Sequence, residues 1–420
     1  MFKALKSKNF KLFFYGQSVS VIGTWLQKTA VSWMVYSVTG SVFLLGLATF
    51  LSMIPSLFLA PLAGSIIGRY DKHRAMILLQ SLAMLQAGAL ALMIYLKIYN
   101  INFILALSLI QGIINSFDMT CRQTMMIDIV DNKEDLPNAV ALNSTLNNFA
   151  RIAGPALAGI ILHNYGEDIC FIGNFLSYIP VLISLLMMKI TPHIKATEKM
   201  KMYDDFIEGL DYVRKETEMA KMLLMLMCSS LFVISFNTLM PVFAKDIFSG
   251  NAQTFSWFES AAGIGSILSA IYLANLKKAD NMGKIMIAAS LLLGFSIIIL
   301  AYSNSLTVAL ICMALSGVGM MAQTSSINIY IQTQSTVNMR SRSISYYLMA
   351  YQGMIPVGSL IIGYVSHIIG TRNTVAIQGI ICILSVIVYV YYKRRSSEEE
   401  LESCQVQFRI PKKAGFKPYK

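Results

Sequence analysis

The chain has 420 residues, 55% of them hydrophobic and 13% charged, with a formal net charge of +12. No polar stretch is long enough to build its own core, which argues against an appended catalytic domain. No basic patch interleaved with aromatics lies in a soluble segment, which argues against nucleic-acid binding.

Hydrophobicity is concentrated in long runs. A hydrocarbon core of roughly 30 Å needs about 20 consecutive, mainly apolar residues in a helix. Hydropathy places such spans at 11–37, 42–68, 75–97, 102–123, 138–163 and 168–188. Six more follow at 220–244, 254–276, 282–302, 305–332, 343–368 and 373–392. The first is too long for a signal sequence and lacks a small-residue cleavage site, so it reads as an uncleaved first helix. The six cysteines stand singly at 121, 170, 228, 312, 382 and 404 without metal spacing. No metal or other cofactor is therefore expected.

Basic residues then orient the spans. Of the 34 Lys and Arg, 29 fall on the side of the termini; Lys97, Lys245 and Arg372 fall on the other, and Lys28 and Arg151 lie inside spans. By the positive-inside rule both termini are cytoplasmic, and the excess of positive charge meets anionic lipid. The expected fold is an all-α membrane protein with 12 transmembrane helices in two six-helix bundles. Residues 1–190 form the first bundle and 219–392 the second. Between them, 191–218 is a cytoplasmic linker in which the apolar positions 203, 206, 207, 210 and 213 recur at helical spacing, the mark of an amphipathic surface helix. The tail, 393–420, is expected to be disordered. The halves also match internally: Gly154, Gly159, His163 and Gly166 recur as Gly358, Gly363, His367 and Gly370, each offset by 204. Such symmetry belongs to transporters built from repeated bundles.

Polar residues inside spans should face partners or a wet cavity. Cavity candidates are Gln17, Thr24, Gln27 and Lys28 in span one, Gln111 and Asn115 in span four, Asn147 and Arg151 in span five, and Gln323 in span ten. The structural alternative is that the neutral ones join helices to one another. Asp118 and Arg122 are one turn apart and suit a local ion pair, although Asp118 is also a candidate proton carrier. Glu259 lies about five residues, roughly 7–8 Å, from the middle of span eight. A carboxylate buried there can carry a proton, which makes it the leading candidate for coupling.

Several segments resemble a known family. They are Asn9 to Gln17 (NFKLFFYGQ), Gly23 to Gln27 (GTWLQ), Phe117-Asp118 with Arg122-Gln123, Asp135 to Ser144 (DLPNAVALNS), Arg151 to Gly159 (RIAGPALAG), Glu208 to Arg214 (EGLDYVR) and Leu239 to Ala244 (LMPVFA). Together they resemble the major facilitator superfamily over residues 1–392, and within it the branch holding the enterobactin exporter and macrolide efflux proteins. The segment Gly154-Pro155…Gly159 is similar to the fifth-span antiporter motif. There glycine permits close helix approach and proline bends the chain, as in a gating hinge. Gly64…Arg69-Tyr70-Asp71-Lys72-His73-Arg74 resembles the cytoplasmic gating motif. Gly68 stands where that motif has an aspartate, which leaves Asp71 to reach Arg340 or Arg342. Ser108 replaces the family's fourth-span arginine, so the resemblance leaves the coupling ion open.

The resemblance implies a monomeric secondary transporter of a bacterial cytoplasmic (inner) membrane, whose two bundles rock about a central site. With Lys28 and Arg151 near that site, the expected cargo is a small amphipathic compound, anionic in character, such as a siderophore or a lipophilic drug. Export by proton antiport is the leading expectation. Import of a siderophore by the same fold is the alternative. A passive channel is disfavoured, because no filter repeat or charged pore ring is present. A membrane-embedded enzyme is disfavoured further, because no nucleophile–base pair or metal cluster lies within the spans.

Overall fold

The computed structural model describes residues 3–67, 70–188, 190, 202–275, 281–336 and 339–408, and all regular structure among them is helical. In the first half lie α1 (Lys8–Thr39), α2 (Val42–Ile67), α3 (Lys72–Tyr95), α4 (Ile101–Ile129), α5 (Leu136–Asn164) and α6 (Glu167–Met187). Then come α7 (Met202–Lys215) and α8 (Thr217–Phe232), which continues through a 3-10 turn, α9 (Met240–Val242) and a π segment at Phe243–Ile247. The second half is completed by α10 (Ala252–Ala274), α11 (Met282–Tyr302) and α12 (Leu306–Gln334). Last come α13 (Arg340–Leu348), a π segment at Met349–Gly353, α14 (Met354–Ile369) and α15 (Thr371–Phe408).

Local chemistry sets the ends. Asp71 accepts from the backbone N–H groups of His73 and Arg74 and starts α3; Asn100 and Asn251 do the same for α4 and α10. Gly166 and Gly370 (φ 97° and 85°) carry the chain between α5 and α6 and between α14 and α15, in a region closed to most side chains.

Among the described residues, nine helical segments are long and apolar enough to cross a membrane by length and composition. The three remaining long helices, α1, α5 and α10, fall outside that set. They also pack on one another, α5 against both α1 and α10.

Most packing stays within α1–α6 or within α8–α15, and each group holds its own buried apolar clusters. The groups meet chiefly along two seams, α5 with α10 and α2 with α14. The repeat at offset 204 has its geometric meaning here. Gly159 packs on Ser256 of α10, while its counterpart Gly363 packs on Val42 and Gly46 of α2. Gly154 meets Trp25 of α1, and its counterpart Gly358 meets Leu231 of α8.

The tail and the linker are both helical among the described residues. Residues 393–408, expected to be disordered, continue α15 to Phe408, because their Arg, Glu and Leu content favours helix; 409–420 lie outside the described residues. The amphipathic linker helix forms as α7. Val213 on it is buried against α8 and α13, and Tyr212 Oη accepts from the Thr336 N–H at 3.2 Å.

Candidate functional site

A cavity of about 810 Å³ opens between the halves. Its wall is drawn mainly from α1 to α5; the second half contributes Asn328 of α12 and Gln352 of a π segment. Six of the expected cavity residues line it: Thr24, Gln27, Lys28, Gln111, Asn115 and Asn147. Gln27 also links three helices, donating to Gln86 at 3.3 Å and accepting from Asn174 at 2.7 Å.

Gln17, Arg151 and Gln323 lie outside the wall. Gln17 is buried, and with its amide oxygen turned to Arg122 it accepts from both terminal guanidinium nitrogens at 2.7 and 3.0 Å. Gln323 is buried within the second half, where it accepts from Ser229 Oγ at 2.9 Å. Helical spacing identified these positions as inward-facing but could not tell a neighbouring helix from a cavity.

Asp118 is engaged on both oxygens. Arg122 pairs with one, and Gln80 Nε2 donates to the other at 2.6 Å. This network ties α1, α3 and α4 together.

Glu259, Lys28 and Arg151 converge from α10, α1 and α5, the three long helices outside the set of apolar spans. Their charges lie within interaction reach of one another. Glu259 Oε2 accepts from Thr29 Oγ1 at 3.3 Å, and Lys28 Nζ stands 4.7 Å from the centre of the Trp25 ring. Lys28 reaches the cavity while Glu259 and Arg151 are half-buried. Tyr351, from the π segment beside Gln352, lies within reach of Arg151.

One end of the cavity is closed. Side-chain hydrogen bonds join the halves toward the end away from the termini. Besides Thr29–Glu259, Tyr36 Oη donates to Asp246, and Lys245 Nζ donates to the Ser37 carbonyl at 3.1 Å. Ser256 Oγ donates to the Pro155 carbonyl, and Asn251 bonds His163 Nδ1 at 3.0 Å. The Trp33 and Phe255 rings stack beside them. The fifth-span motif therefore sits in a closed seam, with Gly154 on α1 and both Pro155 and Gly159 on α10.

At the opposite end, Gly64 lies in the last turns of α2 and Arg69 lies outside the described residues. Asp71 was expected to reach Arg340 or Arg342, but its oxygens serve the start of its own helix and pair with Arg74 at 3.5 Å. Arg342 instead pairs with Glu208 of α7 at 2.8 Å, and Arg340, at the start of α13, is exposed. The pull of two open backbone N–H groups on a short acidic side chain explains the difference.

Sequence reasoning missed Thr49, Ser52 and Ser56 of α2 in the wall, along with Asn328 and Gln352. It also missed the Tyr36–Asp246 tie. The adjacent charges Lys245-Asp246 at a span end were the available signal.

A family model described as transmembrane secretion effector matches residues 1–417. The chain is similar to the staphyloferrin A transporter of Staphylococcus aureus (strain NCTC 8325 / PS 47), 27% identical over 395 residues, 93% of this chain and 98% of the relative. It is also similar to macrolide efflux protein A of Streptococcus pyogenes, 20% identical over 394 residues, 91% of this chain and 96% of the relative. Its fold resembles that of an inward-facing, unoccupied bacterial homologue of the human lysosomal transporter Spinster. There the TM-score is 0.70 at 11% identity, covering 92% of this chain and 97% of that one. The POT family transporter PepTSo matches at a TM-score of 0.70 and 12% identity, covering 93% of this chain and 99% of that one.

Proposed function

This chain belongs to the transmembrane secretion effector family of major facilitator transporters, and on that premise we propose that it exports a small amphipathic compound by alternating access. It is a multi-pass membrane transporter and not an enzyme. In this reading α1, α5 and α10 join the nine apolar segments to make twelve spans, their polar faces turned to the cavity. The termini are cytoplasmic, the membrane is the bacterial cytoplasmic membrane, and the protein works as a monomer. The hydrogen-bonded end then faces outward, and the cavity is accessible from the cytoplasm.

The observation that carries the proposal is the placement of three charged side chains from three different spans beside a half-closed cavity of cargo size. Binding cavities of a few hundred cubic ångströms hold small organic molecules with a few placed polar groups. Cargo class follows the relatives: a siderophore or a drug. Export is favoured by the secretion description and by the efflux relative. Uptake is the second reading, favoured by the relative described simply as a staphyloferrin A transporter. Coupling is assigned to protons exchanged at Glu259, since Asp118 is already committed to Arg122 and Gln80.

Proteoliposomes carrying the purified protein test this. Labelled amphipathic compounds should show saturable, carrier-type flux that responds to an imposed pH gradient. Glu259→Gln should lose the gradient response and keep passive exchange. Unsaturable flux would mean a channel, and an unchanged gradient response in Glu259→Gln would make that residue structural. Comparison of everted with right-side-out vesicles reads the direction.

A further inference from the structure

We infer that Lys28 and Arg151 form the subsite for a single carboxylate group of the cargo, and that Glu259 is a resident counter-charge leaving that subsite one negative charge short. The inference rests on the transport reading above and names the chemistry of what is carried.

Charge balance is the starting point. Two cations and one carboxylate meet where α1, α5 and α10 pack, within interaction reach of one another. Among the described residues, Lys28 and Arg151 have no carboxylate within ion-pair distance and no hydrogen-bond partner; Lys28 rests only on the Trp25 ring. Glu259 is likewise held by a single contact, from Thr29. Lys28 is exposed to the cavity and Arg151 is half-buried, so neither charge is answered by a protein carboxylate and both are available to an approaching anion.

Other parts of the molecule show that such charges are normally answered. Arg122 has Asp118 and Gln17, Lys72 has Asp128 at 2.7 Å, and Arg342 has Glu208 at 2.8 Å. Lys28, which lines the cavity, and Arg151, which lies outside its wall, depart from that pattern. Lys28 lies in the cavity wall, with Asn147 one helical turn before Arg151 also lining it. A planar guanidinium and a mobile ammonium can grip one carboxylate from two sides. Beyond them the wall offers Met53 and Met119 for an apolar portion, and Tyr351 stands within reach of Arg151. One carboxylate bound there brings two positive and two negative charges together, and the site is then neutral.

The test uses one amphipathic series on the full-length protein in nanodiscs: 4-phenylbutanoate, its neutral amide and its cationic amine. Trp25 beside Lys28 gives a fluorescence readout. The carboxylate should bind about tenfold more tightly than the amide, the scale of one charge-assisted hydrogen bond, and the amine should bind least. Lys28→Gln and Arg151→Gln should each erase most of that preference. Arg151→Lys should retain it, and Glu259→Gln should raise it by removing the resident rival. An unchanged melting temperature confirms that each variant is folded. Equal binding of carboxylate and amide would overturn the inference, as would a preference surviving in the Lys28→Gln/Arg151→Gln double variant. Saturable flux of the amide with no charge preference would leave the transport reading standing and remove this one.

Discussion

The two seams that join the halves are related by the internal repeat, yet they differ in chemistry. Along α2 and α14, backbones approach through glycine: Gly46 faces Gly363 and the Ser359 carbonyl, and Gly353 faces Leu57. Along α5 and α10, Gly159 still permits close approach, but the seam also carries Ser256–Pro155, Asn251–His163 and, beside them, Arg151 and Glu259. One seam is dry and the other is polar. A repeat supplies symmetric packing at little sequence cost, and function then accumulates on one copy. In the proposed cycle the dry seam serves as a pivot, and the polar seam carries the groups whose charge responds to cargo and proton.

The largest effect should come from breaking the pivot. A Cβ at position 46 would lie 2.5 Å from the Ser359 carbonyl oxygen and 3.3 Å from Gly363 Cα, both backbone atoms that cannot rotate away. Gly46→Leu should therefore destabilise the protein by on the order of 3 kcal/mol, the upper range for overpacking, seen as a fall in melting temperature and yield. At position 159 a Cβ would lie 2.2 Å from Ser256 Cβ, which no side-chain rotation moves. Gly159→Leu should therefore cost as much, on the order of 3 kcal/mol, and would also displace the Ser256 hydroxyl from the Pro155 carbonyl. Unchanged stability in either variant would show that its seam is not closely packed.

This distinction was only half legible in the chain itself. The four matched residues at offset 204 announced that α5 and α14 are counterparts, because glycine spacing survives where packing is tight. Which helix each would face was not legible, since α5–α10 and α2–α14 are long-range pairings with no local signature. Long apolar runs gave the helices themselves, and α1, α5 and α10 could be found despite their polar residues because each run is long. The charged groups Lys28, Arg151 and Glu259 could be singled out because ionisable residues inside spans are rare. Neutral ones were harder. Gln17 and Gln323 look like cavity residues on a helical wheel but bind Arg122 and Ser229. Ser52 and Ser56, which do line the cavity, look like ordinary hydroxyls in an apolar helix.

A smaller effect should follow from loosening the closed end without touching either glycine seam. Tyr36 Oη donates to Asp246, and Lys245 donates to the Ser37 carbonyl, so α1 is clasped to the π segment at Phe243–Ile247. Tyr36→Phe leaves the Asp246 carboxylate without that donor. A loss of about 1–2 kcal/mol would shift the balance between closed and open states roughly five- to thirtyfold toward opening of this end. Spin labels at the exposed positions Tyr99 and Asn304 should report a longer distance between the halves. Unchanged distances would confine closure to the α5–α10 seam.

The smallest effect is also the most specific to the polar seam. The side-chain oxygen of Asn251 accepts from the backbone N–H groups of Gln253 (2.9 Å) and Thr254 (3.4 Å) at the start of α10. Its nitrogen is therefore the group directed at His163, so His163 Nδ1 must be the acceptor and carry no proton. Asn251→Leu removes both this bond and the helix start, whereas Asn251→Asp keeps the start of α10 and takes away only the donor to His163. In Asn251→Asp the closed end should loosen by about 1 kcal/mol or less, the scale of one exposed hydrogen bond. The same distance measurement should show a small lengthening between the halves. An unchanged distance would mean that this rim of the polar seam does not hold the end shut.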